Sequence, residues 1–584
     1  MSVHLTVNKR NHGHGFNRIT LLKVLFFVLV VIVIARLFYL QVWRHNYYVS
    51  LAEKRHNKIE QVTPMRGEIY TFDSTANDAA KKLNPIALNQ KYYLLYSQPV
   101  LIKDATATLD AIEKTVPLEK EEREQITKRL AKNDSYEPLK HFLTLEQKEK
   151  ISQLKLTGLG FEEETKRIYP QNDLFAHVLG FLGFSGDMRV GQYGLEEYFE
   201  TYLAGMGGVI MREKDPKGRL IGLEMMIKDP VVDGNSLVLT VDQAIQFQVC
   251  NVLKKWVEKM AADDGTAIVV APDTGQIMAL CNAPSFDLNN YSQVESANIY
   301  TNRAISEAYE PGSVFKAITL AAALDSGAVM PDTKYVDLGF VKFGPYIIRN
   351  AKNKIYGEVD MTSVLENSIN TGAIFAALKT GRDTFKKYVE KFGFGVKTQI
   401  QLPHEAIGNL QTLNLKKDIY TATASYGQGI MATPMQMVMS YAAIANNGIL
   451  MQPQIIAEKI FENGRIEKIQ PQEVRRVISS SAANILKAML VSVVKNGHAK
   501  GAQVSGFYVA GKTGTADIAD KKGGYSTDTI HTFIGFAPAD KPKFVVLVKI
   551  TKPRNSTFAE GSVVPAFAEI AKFLLNYYQV KPEY

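Results

Sequence analysis

Ser313 and Lys316 stand three residues apart at the start of a predicted helix. A Pro-Gly turn precedes Ser313, and the helical text VFKAITLAAAL follows it. Backbone N–H groups are unpaired at the start of a helix and the dipole is positive there, which favours an oxyanion. Residues three apart share one helix face, so a desolvated Lys316 that has lost its proton can act as a base toward Ser313. The pair therefore offers acyl transfer through a serine nucleophile.

Two further clusters supply the other groups that a serine acyl-transfer site needs. Ser368 and Asn370 place a hydroxyl and an amide on one short loop, where they can relay a proton and hold a substrate. The second cluster offers a cation and hydroxyls for a carboxylate, with a glycine that lets a ligand approach the backbone. Its members are Lys512, Thr513, Gly514 and Thr515. We predict that it follows a short strand, 507–510, on a sheet edge that can pair with an extended peptide.

Each of the three patterns occurs a second time in the chain. The second copies are residues 152–155, 296–298 and 379–381. No turn or cap places Ser152 at a helix start, so we interpret that copy as a solvated helix face. Gly381 follows an apolar helical stretch and is typical of a helix C-cap. Any single pattern is also compatible with an ordinary cap, turn or solvated lysine. The prediction of a serine acyl-transfer site therefore depends on the three patterns occurring together.

The elements around these clusters predict an α+β fold. A strand at 237–241 and a long helix at 242–260 begin the C-terminal part of the chain. Apolar strands flank turns at 272–275 and 539–542, which indicates two hairpins. Residues 566–578 have the spacing of an amphipathic helix. Strands at both ends with helices between them favour an antiparallel sheet covered by helices.

Residues 21–40 form an apolar run of the length that spans a bilayer. Lys23 and Arg36 lie near its ends, where long basic side chains can reach the interface. No small-residue cleavage site follows the run, so we predict an uncleaved anchor rather than a signal peptide. Basic residues flank both ends, so their bias fixes the orientation only weakly. No later segment is apolar enough to span.

Composition bounds the remaining possibilities. A chain of 584 residues predicts two or more domains. The net charge of +9 comes without a long block of like charges, which favours a solvated surface over a nucleic-acid face. The only two cysteines, Cys250 and Cys281, are interpreted as buried core thiols. We predict no metal or organic cofactor, and we interpret His4, His12 and His14 as part of a terminal tail.

The three clusters, in this order, resemble the S-x-x-K, S-x-N and K-T-G motifs of penicillin-binding proteins and class A β-lactamases. Further segments resemble class B penicillin-binding proteins, above all the cell-division branch (FtsI and its sporulation relative SpoVD). These segments are residues 167–170, 176–180, 194–196, 239–246, 284–287, 309–312, 426–430 and 442–448. The resemblance covers almost the whole chain. The family often has the sequence Arg-Gly-x-Ile-x-Asp-Arg-Asn-Gly early in its pedestal domain. This chain matches its first four positions at 66–69, but residues 70–73 read Tyr-Thr-Phe-Asp.

The resemblance implies a peptidoglycan D,D-transpeptidase. Ser313 would attack the carbonyl of a stem-peptide D-Ala-D-Ala, with Lys316 as base and Ser368 as the proton relay to the leaving amine. Asn370 would bind the substrate amide. The terminal carboxylate would be held by Lys512, Thr513 and Thr515. Backbone N–H groups of Ser313 and Thr515 would form the oxyanion hole. We expect Lys316 and Lys512 to lower each other's pKa, because like charges disfavour the protonated form.

The resemblance also implies a domain organisation of four parts. Residues 1–18 would be a short cytoplasmic tail and 19–42 a transmembrane anchor. Residues 43–232 would form an elongated mixed pedestal (dimerisation-like) domain, in which Arg167, His177 and Glu196 play structural parts. Residues 233–584 would form a penicillin-binding transpeptidase domain with a serine β-lactamase-like fold. The catalytic domain would then lie on the periplasmic or extracellular side of the cytoplasmic membrane.

Several alternatives remain open at this point. The chain could serve cell division, elongation or sporulation, and the acyl acceptor could be an amine or water, as in a carboxypeptidase. A membrane-bound serine β-lactamase or penicillin sensor shares the same motifs, and a scaffold whose site is retired would keep the fold. The division branch implies stem peptides, β-lactams, a SEDS-family glycosyltransferase (FtsW-like) and other membrane proteins of the divisome as partners, and no nucleic acid.

Overall fold

The protein is described here from a computed structural model, in residues 17–72, 83–185, 188–214, 220–520 and 523–584. These residues form two compact units. The first consists of the chain up to Pro64 together with Met206–Val232, and the second of Met65–Gly205 and Asp233–Tyr584. His4, His12 and His14 lie outside the described residues.

The first unit begins with the predicted apolar helix. An α-helix, Arg18–Phe38, continues into a π-helical turn, Tyr39–Trp43. Together they have 26 residues, none buried by protein, and no other helix in the described ranges is long and apolar enough to cross a membrane. At 1.5 Å per residue this is about 39 Å, more than a hydrocarbon core of about 30 Å. The helix therefore suits a single-pass membrane anchor.

The rest of the first unit is a helix and a small antiparallel sheet. The helix is His45–His56. The strands, in spatial order, are Asn57–Val62, Gly208–Lys214 and Leu220–Asp229.

A mixed seven-stranded sheet in the second unit joins segments far apart in sequence. In spatial order six of its strands are Ile466–Lys468, Ile456–Ile460, Ser236–Leu239, Ile69–Phe72, Leu83–Ser97 and Glu137–Leu143. The seventh, Leu159–Ile168, also pairs with Leu83–Ser97. The pairing of Ile69–Phe72 with Ser236–Leu239 is parallel, with Ile69 opposite Leu237. This pairing explains why Met65–Gly205 belongs to the same compact unit as the C-terminal part.

A five-stranded antiparallel sheet forms the centre of the C-terminal part. In spatial order its strands are Ile277–Ala283, Asp264–Val270, Phe544–Thr551, Tyr525–Ala537 and Ala510–Ala519. Both predicted hairpins are confirmed as neighbouring pairs in it. Seven successive residues of Phe544–Thr551 are buried, so helices or loops cover both faces of the sheet. The α+β prediction is confirmed.

Helices pack on this sheet and around it. Gln243–Lys259 and Val563–Tyr577 contact each other and the sheet, and Pro434–Ala445, which is wholly buried, also packs on it. The other α-helices of the unit are Ala105–Thr115, Lys120–Leu130, Leu145–Gln153, Ala176–Leu179, Gly194–Tyr198, Glu200–Leu203, Arg303–Ser306, Lys316–Asp325, Met361–Glu366, Asn370–Thr380, Arg382–Lys391, Asp418–Ser425 and Ser480–Lys495. Four two-stranded pairs complete the unit: Phe181–Ser185 with Met188–Gln192, Lys334–Asp337 with Gly357–Asp360, Phe340–Phe343 with Tyr346–Arg349, and Ile449–Met451 with Glu473–Arg476.

Glu196 holds together a buried charge cluster in the N-terminal part of this unit. Its carboxylate accepts hydrogen bonds from Arg66 Nε at 2.7 Å and Arg167 Nε at 2.8 Å, and it is fully buried. Burial alone would raise the pKa of Glu196, but the two guanidinium groups hold it below the usual value. His177 is buried as well, where burial lowers its pKa to about 4 and Ile299 O lies 2.9 Å from Nε2. The structural roles expected for these residues agree with these contacts.

The expectation of two separate core thiols is wrong, because Cys250 and Cys281 form a disulfide. Cys250 lies on Gln243–Lys259 and Cys281 on Ile277–Ala283, as the sequence indicated. The helix packs on that strand, which brings the two Cα atoms to 5.4 Å despite a separation of 31 residues. Spacing alone did not reveal that the two elements are packed neighbours.

The charge cluster leads to a stability prediction. Replacing Glu196 with glutamine leaves the buried Arg167 guanidinium without the carboxylate that pairs with it, whereas Arg66 keeps its ion pair with Glu200. We expect the free energy of unfolding of the full chain to fall by about 3–5 kcal/mol, measured by denaturant unfolding in detergent. The control is Glu163→Gln, which breaks an exposed ion pair with Lys91 and should leave the midpoint nearly unchanged. Equal midpoints for the two variants would contradict the role given to Glu196.

Candidate active site

Ser313 lies in a tight turn that leads into a buried helix. The turn is a 3₁₀ segment, Gly312–Phe315, and the α-helix Lys316–Asp325 continues directly from it. Two hydrogen bonds of 2.7 Å join this turn and helix to other parts of the unit. Tyr441 Oη donates to Val314 O, and Thr319 Oγ1 donates to Ser425 O. Ser313 is half-buried while the residues around it are buried. The predicted placement of Ser313 at a helix start is confirmed, with a 3₁₀ first turn.

Ser368 and Asn370 lie on the connection between two helices. Met361–Glu366 ends just before Ser368, and Asn370–Thr380 begins at Asn370. Ser368 has a φ of +53°, in the left-handed region that costs a non-glycine residue energy. Both side chains are half-buried and reach the same ammonium group, that of Lys316.

Lys316 is fully buried and points at this connection. Its Nζ donates to Ser368 O at 2.6 Å, Ser368 Oγ at 3.2 Å and Asn370 Oδ1 at 2.7 Å. Lys512 is also fully buried, and its Nζ donates to Ser368 Oγ at 3.0 Å and to Thr513 O at 3.1 Å. The Ser368 hydroxyl therefore lies between two ammonium groups, and the structure brings residues of all three motifs together.

The two lysines have lowered pKa values. Burial lowers the pKa of Lys316 well below the ordinary lysine value, and the charge of Lys512 lowers it further. Burial also lowers the pKa of Lys512 to about 8, against the opposing attraction of the Glu560 carboxylate. The direction expected for Lys316 agrees with this effect of Lys512, and burial is the larger cause for both lysines.

The strand that carries Lys512 differs from the prediction. Instead of following a short strand at 507–510, Lys512 lies inside the edge strand Ala510–Ala519. The glycines in Gly511–Gly514 obscured the strand pattern in the sequence. As predicted, the cluster lies at a sheet edge.

Gly514 brings this strand close to the turn of Ser313. A Cβ atom on Gly514 would lie 3.1 Å from Pro311 O and 3.2 Å from Val314 N. A side chain at this position would therefore press on the backbone of the Ser313 turn, which would have to shift by a few tenths of an ångström. Thr513 is buried, whereas Thr515 is half-buried and its Oγ1 accepts from Ala559 N at 3.3 Å.

Two of the three second copies of the motifs, those with Ser152 and Gly381, have the structural roles that were predicted. Ser152 Oγ donates to Lys148 O within an exposed helix turn. Gly381, with a φ of +85°, ends the helix Asn370–Thr380. Ser296 caps a short 3₁₀ segment by accepting from Asn298 N. In the described part of the chain no group of three or more His, Cys, Asp or Glu residues could hold a metal ion.

Two features near the site were missed from the sequence. One is Glu560, whose carboxylate acts on Lys512 from a loop near the C-terminus. The other is the segment Lys334–Asp360, which contacts Asn370 and Thr371. The turn-forming residues Asp337 and Gly339 were the available signal for the second. Glu560 had no local signal, because its neighbours in space are remote in sequence.

Family comparisons agree with this geometry. Residues 265–572 match the penicillin binding protein transpeptidase domain, and residues 61–239 match the penicillin-binding protein dimerisation domain. The transpeptidase match alone covers more than half of the chain. This chain therefore belongs to the penicillin-binding proteins, and the two domains together identify class B.

Relatives from several bacteria cover most of the chain. Stage V sporulation protein D of Bacillus subtilis is 31% identical over 568 residues, 96% of this chain and 86% of that protein. Peptidoglycan D,D-transpeptidase FtsI of Buchnera aphidicola subsp. Schizaphis graminum is 31% identical over 440 residues, 74% of this chain and 73% of that protein. Penicillin Binding Protein 2X from Streptococcus thermophilus has the same fold, with a TM-score of 0.75 at 22% identity over 89% of this chain and 80% of that one. The expected resemblance to the cell-division branch is confirmed.

Proposed function

We propose that this protein is a peptidoglycan D,D-transpeptidase that cross-links stem peptides through an acyl-enzyme at Ser313. The observation that carries the proposal is the pair of buried lysines converging on Ser368 beside the Ser313 turn. The names of relatives such as FtsI support the activity, since it is the one those names state.

In the proposed acylation step Ser313 Oγ attacks the carbonyl carbon of the penultimate D-Ala. Lys316, neutral at its lowered pKa, takes the hydroxyl proton as the ester bond forms. The C–N bond to the terminal D-Ala then breaks, and Ser368 relays the proton to the leaving amine. Ser368 Oγ is within hydrogen-bond distance of the Lys316 Nζ atom that would supply this proton. An amine of a neighbouring stem peptide then attacks the ester and releases Ser313.

The remaining site residues bind the donor peptide in this proposal. Lys512, protonated below its pKa of about 8, attracts the terminal carboxylate together with Thr513 and Thr515. Asn370 holds the substrate amide, and the Ala510–Ala519 edge pairs with the extended peptide. Backbone N–H groups of Ser313 and Thr515 form the oxyanion hole. Gly514 keeps the strand close enough to the Ser313 turn for both N–H groups to act on one oxygen.

We infer that the catalytic part lies outside the cytoplasmic membrane, anchored by the helix Arg18–Phe38. The Cys250–Cys281 disulfide supports this side, because disulfides persist in oxidising compartments. We further propose the domain boundary near residues 232–233, where Pro and Asp-Gly interrupt the sequence pattern. A role in septal wall synthesis is supported by the likeness to FtsI, and elongation or sporulation is the alternative, the latter supported by the likeness to stage V sporulation protein D.

The acyl-enzyme is tested by labelling the full chain, in detergent, with a fluorescent penicillin. We expect a long-lived label that disappears in Ser313→Ala and persists in the control Ser152→Ala, which alters the second Ser-x-x-Lys copy. Rapid loss of label with turnover of the drug would identify a β-lactamase instead. No label on folded protein would indicate a retired scaffold and contradict the proposal.

We propose that the anchor and pedestal engage a SEDS-type glycosyltransferase (FtsW-like) and other membrane proteins of the divisome. This rests on the apolar helix Arg18–Phe38 and on the match of the chain to a transpeptidase domain and a dimerisation domain. Replacing residues 21–40 with an unrelated apolar span should abolish function in cells. Membrane insertion and penicillin labelling of the variant serve as controls. Full function of an inserted, labelled variant would contradict the proposal.

A further inference from the structure

A segment between the first two motifs of the chain surrounds one buried carboxylate. The segment runs from Lys334 to Asp360 and forms two short strand pairs. Asp337 ends its first strand and is only 1% exposed. Ion pairs within the described residues do not include this carboxylate, so it is held by neutral donors. A buried charge of this kind is costly unless several donors satisfy it.

Four donor groups make five hydrogen bonds to the two oxygens of Asp337, and three of these groups belong to its own segment. Gly339 N donates at 2.9 Å, Tyr356 N at 2.8 Å, and Asn350 Nδ2 reaches both oxygens at 3.1 and 2.9 Å. The last donor, Thr371 Oγ1 at 2.7 Å, comes from the helix that begins at Asn370. The carboxylate therefore ties the segment to that helix at its first turn.

Asn350 makes a second connection to the same turn. It is 4% exposed, and its Oδ1 accepts from Thr371 N at 3.1 Å. Its neighbour Arg349 accepts, through its carbonyl oxygen, a hydrogen bond from Asn370 Nδ2 at 3.0 Å. Because Nδ2 is engaged in this way, Asn370 Oδ1 faces Lys316 Nζ at 2.7 Å. The segment thus fixes both the backbone after Asn370 and the orientation of its amide.

We propose that Asp337 and Asn350 are positioning residues for acylation: together they hold the amide of Asn370 so that its oxygen anchors the Nζ atom of Lys316. The inference rests on the proposed function and deepens it. Neither residue contacts Ser313 or the two lysines through a hydrogen bond in the described chain. Their effect on the reaction therefore passes through Asn370 and the backbone of Thr371.

Asp337 and Asn350 should affect only one of the two steps of the reaction with a β-lactam, which are binding of the drug and acylation of Ser313. In the proposed function the carboxylate of the drug binds Lys512, Thr513 and Thr515, and among the described residues these three have no hydrogen bond from the Lys334–Asp360 segment. Loss of the Asp337 carboxylate should therefore slow the acylation step without weakening the preceding binding step. It should also change the ionisation of Lys316, because a hydrogen bond to Oδ1 favours the charged form. The other charges near Lys316 are Lys512 and, acting on Lys512, Glu560; Lys512 also acts on His498.

The test uses Asp337→Asn in the full chain, with acylation by a fluorescent penicillin followed over time and over pH. The asparagine amide at position 337 carries an N–H donor where the carboxylate had an acceptor. That donor faces the N–H groups of Gly339, Tyr356 and Asn350. We expect the acylation rate constant to fall roughly 10- to 100-fold, the effect of a small misplacement at a reacting site. The drug's dissociation constant should stay within about twofold of the wild-type value, since carboxylate docking is intact. The acid limb of the rate profile should move to lower pH.

The matched control is Glu405→Gln, at a carboxylate that is 8% exposed and accepts from Thr398 N at 2.6 Å and Gln399 N at 3.1 Å. It should lower the melting temperature while leaving the acylation rate constant and the acid limb unchanged. If Asp337→Asn does not fold, Thr371→Val decides the question, because it removes one donor to Asp337 with little change in shape. For Thr371→Val we expect a smaller fall in the acylation rate constant than for Asp337→Asn, with the same shift of the acid limb.

Wild-type acylation and an unmoved acid limb in a folded Asp337→Asn protein, or in Thr371→Val if the first does not fold, would overturn the proposal. A loss of melting temperature equal to that of Glu405→Gln, with no kinetic change, would reduce Asp337 to a structural residue and also overturn it. Absence of labelling in the wild-type protein would instead overturn the proposed function, and this inference with it. Labelling of the wild-type protein therefore distinguishes a failure of the proposed function from a failure of this inference alone.

Discussion

Two ammonium groups converge on one hydroxyl, that of Ser368, inside a buried site. Neither lysine has a carboxylate among its hydrogen-bond partners in the described chain; carbonyl, amide and hydroxyl oxygens take that place. Holding two such charges away from water would cost several kcal/mol each. Burial lowers both pKa values, that of Lys512 to about 8 and that of Lys316 well below the ordinary lysine value. The same constraint gives Lys316 the properties of a base.

The surrounding structure keeps these groups at fixed distances. Burial of Lys512 follows from its place inside the edge strand Ala510–Ala519, and Gly514 lets that strand lie against the Ser313 turn. Burial of Lys316 follows from the helix Lys316–Asp325, which is packed on all sides. Ser368 accepts a left-handed backbone conformation to present both its carbonyl and its hydroxyl to Lys316. Three elements with no shared strand or helix thus depend on one another through a single cluster.

The sequence predicted the motif residues from three patterns in combination, each weak alone, together with local context such as the Pro-Gly turn before Ser313. It also predicted both hairpins, since their apolar strands flank clear turns. What it missed depends on tertiary packing. The Cys250–Cys281 disulfide needed the helix-on-strand contact, and the extent of the Lys512 strand was masked by its glycines. The Asp337 network joins residues 34 positions apart, beyond any helix or strand period.

The central claim is that Lys316 is neutral when it meets Ser313, and the pH dependence of acylation tests it most directly. For the full-length protein, both the acylation rate constant and the dissociation constant of a β-lactam would be measured between about pH 5 and 10.5. If Lys316 is the neutral base, the acylation rate constant should rise with pH through the ionisation of Lys316, well below the ordinary lysine value of about 10.4. Binding should weaken as pH rises through about 8, because Lys512 loses its proton there. A rate constant that rises only through an ionisation near the ordinary lysine value of about 10.4 would contradict a neutral Lys316 base.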